Sequence, residues 1–187
     1  MRKRIIVIIL IIAIAAGLAF ATDGILNLSN KISHPREYEE YVTKYSKEYG
    51  IPEYIIYAVI KTESDFEPSA ESSAGARGLM QMMPETFLWL TGSEHLNENL
   101  KADALYDPEV SIKYGVYYLR YLYRKFDYNW DNAFAAYNAG EGNVKTWLSS
   151  SEYSDGEGGL RKIPFSETKN YVKKVNKNIK SYKKLYY

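Results

Sequence analysis

The feature of this chain that most restricts its fold is the helical spacing of its apolar and tyrosine residues. Side chains three or four positions apart share one face of an α-helix. Four such faces are Tyr38, Tyr41, Val42, Tyr45 and Tyr49; Ile56, Val59 and Ile60; Val110, Tyr114, Tyr117, Tyr118, Tyr121 and Leu122; and Val172, Val175, Ile179 and Tyr182. No segment shows a convincing two-residue alternation typical of a strand. The sequence therefore predicts an all-α domain with six to eight helices.

Proline, glycine and acidic residues indicate where these helices begin and end. Helix starts are predicted near Pro52, Pro84, Asp107, Asp131 and Ser166, with Asp107 and Asp131 as N-caps, and ends at Gly50, at Gly140 and before Pro68. Small polar residues predict loops at 69–78 and 149–165.

The chain opens with the pattern of an export segment. Three basic residues precede an apolar run from Ile5 to Ala21 that ends in a small-x-small pattern. The run is also long enough to span a bilayer, so a cleaved signal and a retained anchor both stay open for residues 1–21. Either case predicts an extracytoplasmic protein, with a linker at 22–36 and one domain at 37–187.

Composition limits the chemistry that this domain can perform. The chain has no cysteine, and its two histidines, His34 and His95, are far apart, so we expect no disulfide, no thiolate site, no metal and no cofactor. From Arg161 onward there are nine basic residues and one acid, Glu167. This basic end fits either attraction to an anionic polymer or a solvated helix face, and we expect no nucleic-acid partner.

Glu63 interrupts an apolar face. It occupies the next position on the stripe formed by Ile56, Val59 and Ile60. A carboxylate near a helix C-terminus is usually exposed, but the stripe favours burial, which raises a carboxyl pKa. A carboxyl that is protonated near neutral pH can act as a general acid.

Three motifs around this residue carry a resemblance. They are "ESDFEPSAESSAGARGLMQMMPET", "AYNAGEGNV" and "IPFSETKNYV", in that order, and the similarity spans about residues 40 to 180. The chain resembles the goose-lysozyme-like lytic transglycosylases of the soluble lytic transglycosylase type. The resemblance implies a lysozyme-like helical domain, here preceded by the apolar export or anchor helix, and a peptidoglycan glycan strand as substrate.

The resemblance also implies roles for particular residues. Glu63 matches the single catalytic acid and base of the family, whereas glycosidases ordinarily use two carboxylates. The implied substrate-binding residues are Ser72, Gln81, Met83, Tyr137, Asn138 and Tyr171. Some of these residues also have a purely structural explanation: Met83 as part of the core, and Tyr137 as a residue packed between helices. The chain departs from the family at Glu67, because asparagine usually precedes the proline at this position. Three acidic residues, Asp65, Glu67 and Glu71, therefore lie close to Glu63 in sequence. They either crowd its carboxyl or face solvent, and we expect them to face solvent.

The implied reaction forms a 1,6-anhydromuramoyl end at the bond between N-acetylmuramic acid and N-acetylglucosamine. The alternatives are a hydrolytic muramidase on the same fold, an inactive cell-wall-binding protein, and a membrane-linked structural protein. We expect a monomer, attached to the membrane through residues 5–21 if that segment is uncleaved.

Overall fold

The computed structural model describes residues 17, 18, 20, 22, 24, 28–92 and 95–187, and the all-α prediction is confirmed for this part of the chain. From residue 38 onward it contains seven α-helices and one 3₁₀ helix, and isolated β-bridges in place of a sheet. The α-helices are α1 (Glu39–Tyr49), α2 (Glu53–Glu63), α3 (Pro84–Thr91), α4 (Pro108–Lys125), α5 (Trp130–Ala139), α6 (Glu141–Leu148) and α7 (Ser166–Tyr186). The 3₁₀ helix, Ala102–Tyr106, lies between α3 and α4.

The N-terminal segment is described only in part. The export or anchor helix predicted at residues 1–21 lies mostly outside the described residues. None of the helices that the structure describes is long and apolar enough to cross a membrane. Residues 28–33, within the linker predicted at 22–36, are helical, and this helix ends before Pro35.

The core of the larger compact unit, Arg36–Leu185 with Tyr187, is built around α2. Every residue from Ile55 to Ile60 is buried, so α2 packs against other elements on all sides. Tyr57 of α2 stacks on Tyr182 of α7, with 5.4 Å between ring centroids. The apolar face of α2 runs into its last residue, and this places the Glu63 carboxyl at the edge of the core.

Most helix ends lie where the sequence predicts them, and one predicted cap is wrong. α1 ends at Gly50, and the Asp107 carboxylate accepts a hydrogen bond from an amide in the first turn of α4 at 3.0 Å. Asp131 does not cap α5, because the helix begins at Trp130 and the Asn129 side chain accepts the capping hydrogen bond at 3.1 Å. Asp131 lies inside the first turn, where its charge still complements the helix dipole.

Other differences from the sequence prediction are small. The helix α6 and the 3₁₀ helix were not predicted. In α7, Val172, Val175 and Tyr182 are buried as predicted, whereas Ile179 is half-buried.

Gly115 lets the segment around Met80 pack directly on α4. A Cβ atom at Gly115 would lie 2.3 Å from the Met80 sulfur and 2.7 Å from the Met80 Cβ. The Met80 amide also donates to the Ser111 hydroxyl of α4 at 3.1 Å. The absence of a side chain at Gly115 therefore fixes how closely this segment approaches the helix.

Gly78 has a similar function at the start of the same segment. Its φ of 76° lies in the left-handed region, and a Cβ there would lie 1.9 Å from the Leu105 carbonyl oxygen. With Gly115, it holds the backbone that carries Gln81 against the 3₁₀ helix and α4.

Candidate functional site

Glu63 is half-buried at the last position of α2. Burial raises the pKa of its carboxyl from the ordinary 4.5 to about 8, and the nearby Tyr171 hydroxyl opposes part of this shift. At neutral pH the carboxyl is therefore mostly protonated. A protonated carboxyl that still reaches solvent can donate its proton to a bound ligand.

The neighbours of Glu63 hold it in place through hydrogen bonds to two other elements. The Ser64 hydroxyl donates to the Leu79 carbonyl at 2.8 Å, which joins the end of α2 to the segment after the loop. The Thr62 hydroxyl donates to the Ala58 carbonyl at 2.7 Å and accepts from the Asn178 amide at 3.0 Å, which joins α2 to α7. Both contacts restrict the position of the intervening Glu63.

The other acidic residues of this region face solvent, as expected. Asp65, Glu67 and Glu71 are all exposed. Asp65 pairs with Lys61, Glu67 accepts hydrogen bonds from Ser69, and Glu71 accepts one from the Tyr106 hydroxyl at 2.6 Å. These contacts direct the three carboxylates away from Glu63, so burial, and not repulsion between like charges, accounts for its raised pKa.

Two tyrosines lie beside the Glu63 carboxyl. Tyr171 of α7 is buried, and its hydroxyl has no hydrogen-bond partner of regular geometry among the described residues. This hydroxyl nevertheless lies near enough to the Glu63 carboxyl for each group to affect the pKa of the other. Tyr137 of α5 donates to the Met80 carbonyl at 2.8 Å. Burial raises the pKa of both tyrosines well above its usual value, so both remain neutral donors.

An open pocket of about 260 Å³ brings together four of the predicted substrate-binding residues. It is lined by Gln81, Met82, Met83, Thr86, Tyr118, Tyr137, Asn138, Ala139 and Gly140. Gln81, Met83, Tyr137 and Asn138 were predicted from the sequence motifs. Amides, a phenol and a thioether together provide the mixed polar and apolar lining typical of small-molecule and sugar sites.

Gln81 is held in an uncommon backbone conformation that its own side chain stabilises. Its φ is 45°, and its side-chain amide nitrogen donates to the Ala70 and Gly78 carbonyls at 2.9 and 3.0 Å. Both amide protons are used within the protein, so a ligand can engage only the amide oxygen.

Ser72 does not reach this pocket. It is exposed in the loop, where its hydroxyl accepts a hydrogen bond from the Ala76 amide at 3.0 Å and its own amide donates to the Ala76 carbonyl at 2.9 Å. The structure thus gives Ser72 a part in shaping the loop, and a contact with substrate stays a prediction.

Tyr118 and Thr86 were not predicted as site residues, and the contact between the Met80 carbonyl and Tyr137 was not foreseen. Tyr118 and Thr86 line the pocket, and the Met80 carbonyl positions Tyr137. Tyr118 was placed only on the predicted face of α4; its ring lies 5.5 Å from that of Tyr137. The spacing that predicts a helix face does not distinguish a tyrosine in the core from a tyrosine at a pocket wall. Every residue has a backbone carbonyl, so the sequence does not indicate which carbonyl accepts the hydrogen bond from Tyr137.

Glu63 and Tyr171 are not among the residues that line the pocket, but Glu63 lies near enough to Tyr137, which does line it, to affect the pKa of that tyrosine. In lysozyme, too, burial raises the pKa of a carboxyl in a helical domain. The family model of the transglycosylase SLT domain matches residues 40–158, and this chain belongs to that family.

Curated relatives and solved structures agree with this assignment. The chain is 38% identical over 142 residues to the soluble lytic murein transglycosylase of Salmonella typhimurium, covering 75% of this chain and 22% of that protein. It is 31% identical to the membrane-bound lytic murein transglycosylase C of Edwardsiella ictaluri, with coverage of 80% and 47%. The 70 kDa soluble lytic transglycosylase of Escherichia coli aligns with a TM-score of 0.75 at 35% identity, over 83% of this chain and 25% of that one. The chain therefore spans about a quarter to a half of the length of these relatives.

Proposed function

We propose that this chain is a peptidoglycan lytic transglycosylase. It cleaves the β-1,4 bond between N-acetylmuramic acid and N-acetylglucosamine and leaves a 1,6-anhydromuramoyl end. The observation that carries the proposal is the half-buried Glu63, whose pKa of about 8 keeps it protonated near Tyr137, a residue that lines the pocket. Membership of the SLT domain family and the lytic murein transglycosylases among the relatives support the same activity.

In the first step Glu63 acts as the acid. Its proton passes to the oxygen of the glycosidic bond, the bond to carbon 1 of the muramoyl residue breaks, and N-acetylglucosamine leaves with a free 4-hydroxyl. The acetamido oxygen of the substrate stabilises the cationic carbon 1. This route suits the site, because the described residues that line the pocket near Glu63 include no second carboxylate.

In the second step the Glu63 carboxylate acts as the base. It takes the proton of the muramoyl 6-hydroxyl, whose oxygen attacks carbon 1 and closes the anhydro ring. The attack is intramolecular and requires no water, so holding the 6-hydroxyl close to carbon 1 accelerates the closure. The Gln81 amide oxygen, Asn138 and Met83 are the groups that we expect to hold the sugar, with Tyr171 beside the acid.

The proposed location is the cell envelope, outside the cytoplasmic membrane, where peptidoglycan lies. The basic residues and apolar run of residues 1–21 support export, with the segment either cleaved or retained as an anchor. The relatives include both soluble and membrane-bound lytic murein transglycosylases.

The products released from purified peptidoglycan sacculi test this proposal. We expect the full chain to release muropeptides whose mass is one water lower than that of the hydrolysed form. Reducing ends in their place would identify a muramidase, and the absence of any cleavage would identify a cell-wall-binding protein; each result contradicts the proposal.

Two variants show whether Glu63 performs the chemistry. Glu63→Gln keeps the shape of the side chain but has no proton to donate, so we expect the rate to fall by about a thousandfold or more. Glu67→Gln is the matched control, because that carboxylate is exposed and bonded to Ser69. Full activity of the Glu63→Gln variant would refute the assigned acid.

A further inference from the structure

A groove rich in cations lies between α7 and the loop before it. Its volume is about 570 Å³. Its lining, here called the basic groove, consists of Asp131, Leu160, Arg161, Lys162, Ile163, Lys169, Val172, Lys173, Asn176, Lys177 and Lys180. Six of these side chains are cationic and one is a carboxylate. That imbalance creates a strong positive potential inside a concave surface.

Three lysines of the basic groove form a regular row. Lys169, Lys173 and Lys177 are four residues apart, so they follow one another along α7 with a rise of about 6 Å. All three are exposed, and none takes part in an ion pair among the described residues. Their charges are therefore available to a partner.

The remaining charged groups of the groove do not neutralise this row. Lys162 forms an ion pair at 3.0 Å with Glu152, which is not part of the groove lining. The Asp131 carboxylate accepts a hydrogen bond from the Asn176 amide at 2.7 Å, which holds it at the side of the groove.

The basic groove is separate from the pocket beside Glu63. On a helix of 3.6 residues per turn, Lys169, Lys173 and Lys177 lie on the side opposite Tyr171, which is buried against the catalytic region. The two lining sets also share no residue. A ligand in the groove would therefore not occupy the site of cleavage.

We propose that the basic groove binds a linear polyol-phosphate polymer, with one phosphodiester opposite each lysine of the row. Lysine ammonium groups bind phosphate as point charges. Successive lysines of the row rise by about 6 Å along the helix axis, so the row presents its charges at regular intervals, as a polymer with one phosphate per repeat does. A groove accommodates a single flexible strand along its length and brings several cations to it at once.

The lining argues against two other anionic partners. Lysines inside a concave groove make fewer contacts with a flat membrane than lysines on a convex surface, and the lining adds no exposed apolar side chain, because Val172 is buried and Leu160 and Ile163 are half-buried. Proteins that bind single-stranded nucleic acid usually combine a basic groove with aromatic rings on which the bases stack, and this groove has no aromatic residue in its lining.

Binding of fluorescent poly(glycerol phosphate) to the full chain, purified in a non-ionic detergent, tests this proposal. The variant Lys169→Gln/Lys173→Gln/Lys177→Gln removes the row. The matched control, Lys47→Gln/Lys101→Gln/Lys174→Gln, removes the same charge from exposed lysines outside the groove. Circular dichroism verifies that both variants are folded. Competition with mixed micelles that contain phosphatidylglycerol, and with single-stranded DNA, compares the partners.

We expect the row variant to bind the polymer about tenfold or more weakly at physiological salt, because three charge pairs are lost together. The control variant should bind like the natural chain, and the polymer should compete better than the micelles or the DNA. Equal weakening in both triple variants, stronger competition by either rival, or no binding by the natural chain would overturn the proposal.

Discussion

The environment of Glu63 determines the direction in which activity depends on pH. Burial raises the pKa of this carboxyl to about 8, and the reaction begins with transfer of its proton. Activity should therefore decline as the pH rises through that value. The Tyr171 hydroxyl has the opposite effect on the carboxyl, because it stabilises the ionised form.

The first prediction concerns Tyr171→Phe. Loss of the hydroxyl removes a group that lowers the Glu63 pKa, so the alkaline decline of the cleavage rate should move to higher pH. The pH profile of muropeptide release measures this. Tyr114→Phe is the control, because its hydroxyl donates to Glu98 at 2.9 Å in another part of the core. A decline that stays in place, or moves to lower pH, would show that Tyr171 does not act on Glu63.

The second prediction concerns the stability cost of a buried acid. The folded chain holds the Glu63 proton up to a pH of about 8, whereas the unfolded chain releases it near 4.5. The folded state binds more protons in this window, so the free energy of unfolding falls as the pH rises through it. Glu63→Gln should remove this fall and be more stable than the natural chain at pH 8 by about 2 kcal/mol, with partial solvent contact reducing the full effect.

Urea unfolding followed by tryptophan fluorescence at pH 4.5 and at pH 8 measures the difference. Glu67→Gln is the control, because hydrogen bonds from Ser69 lower the pKa of that exposed carboxylate. If the natural chain and Glu63→Gln show parallel pH dependence, Glu63 ionises in the same range folded and unfolded.

Among the elements, the segment after the loop is fixed by close packing on α4. Met80 occupies space that a side chain at Gly115 would fill, and its carbonyl accepts the hydrogen bond from Tyr137. Gln81 follows directly and lines the pocket. A glycine on a helix far from Glu63 in sequence therefore controls the geometry of one wall of the site.

The third prediction is that Gly115→Ala destabilises the domain by about 2 kcal/mol and slows cleavage, because the added methyl group overlaps Met80. Gly142→Ala is the matched control in α6, where a Cβ meets nothing within 4 Å. That variant should be unchanged or more stable by up to about 1 kcal/mol, since alanine favours helix. The midpoint of urea unfolding compares the two variants. Similar midpoints would show that the segment adapts without loss.

At the scale of the whole molecule, the sequence predicted the helices better than it predicted side chains in loops. The all-α architecture followed from residue spacing. Glu63 stood out because it interrupts a buried stripe, and its predicted role as the acid came from the family resemblance. Asn129 and Asp131 are both good capping residues two positions apart, so local preference alone could not select the one that caps α5. Ser72 lies in a loop, where no periodicity indicates the direction of a side chain.

The assembly of the site depends on contacts between distant segments. The pocket joins the segment after the loop and the start of α3 with the middle of α4 and the end of α5, and Tyr171 comes from α7. Family motifs identified most of these residues, but their hydrogen bonds to backbone carbonyls, such as that from Tyr137 to Met80, required the structure. The sequence alone could not show that Gln81 uses both amide protons within the protein.

The most direct test of this account is a titration of the Glu63 carboxyl in the folded chain. Isotope-labelled glutamate followed by NMR reports each carboxyl carbon as the pH is raised, and the Glu63→Gln variant assigns the signal. We expect Glu63 to lose its proton at a pH of about 8. A midpoint near the ordinary value of 4.5 would show a carboxyl that is ionised at neutral pH, and would contradict its assignment as the proton donor.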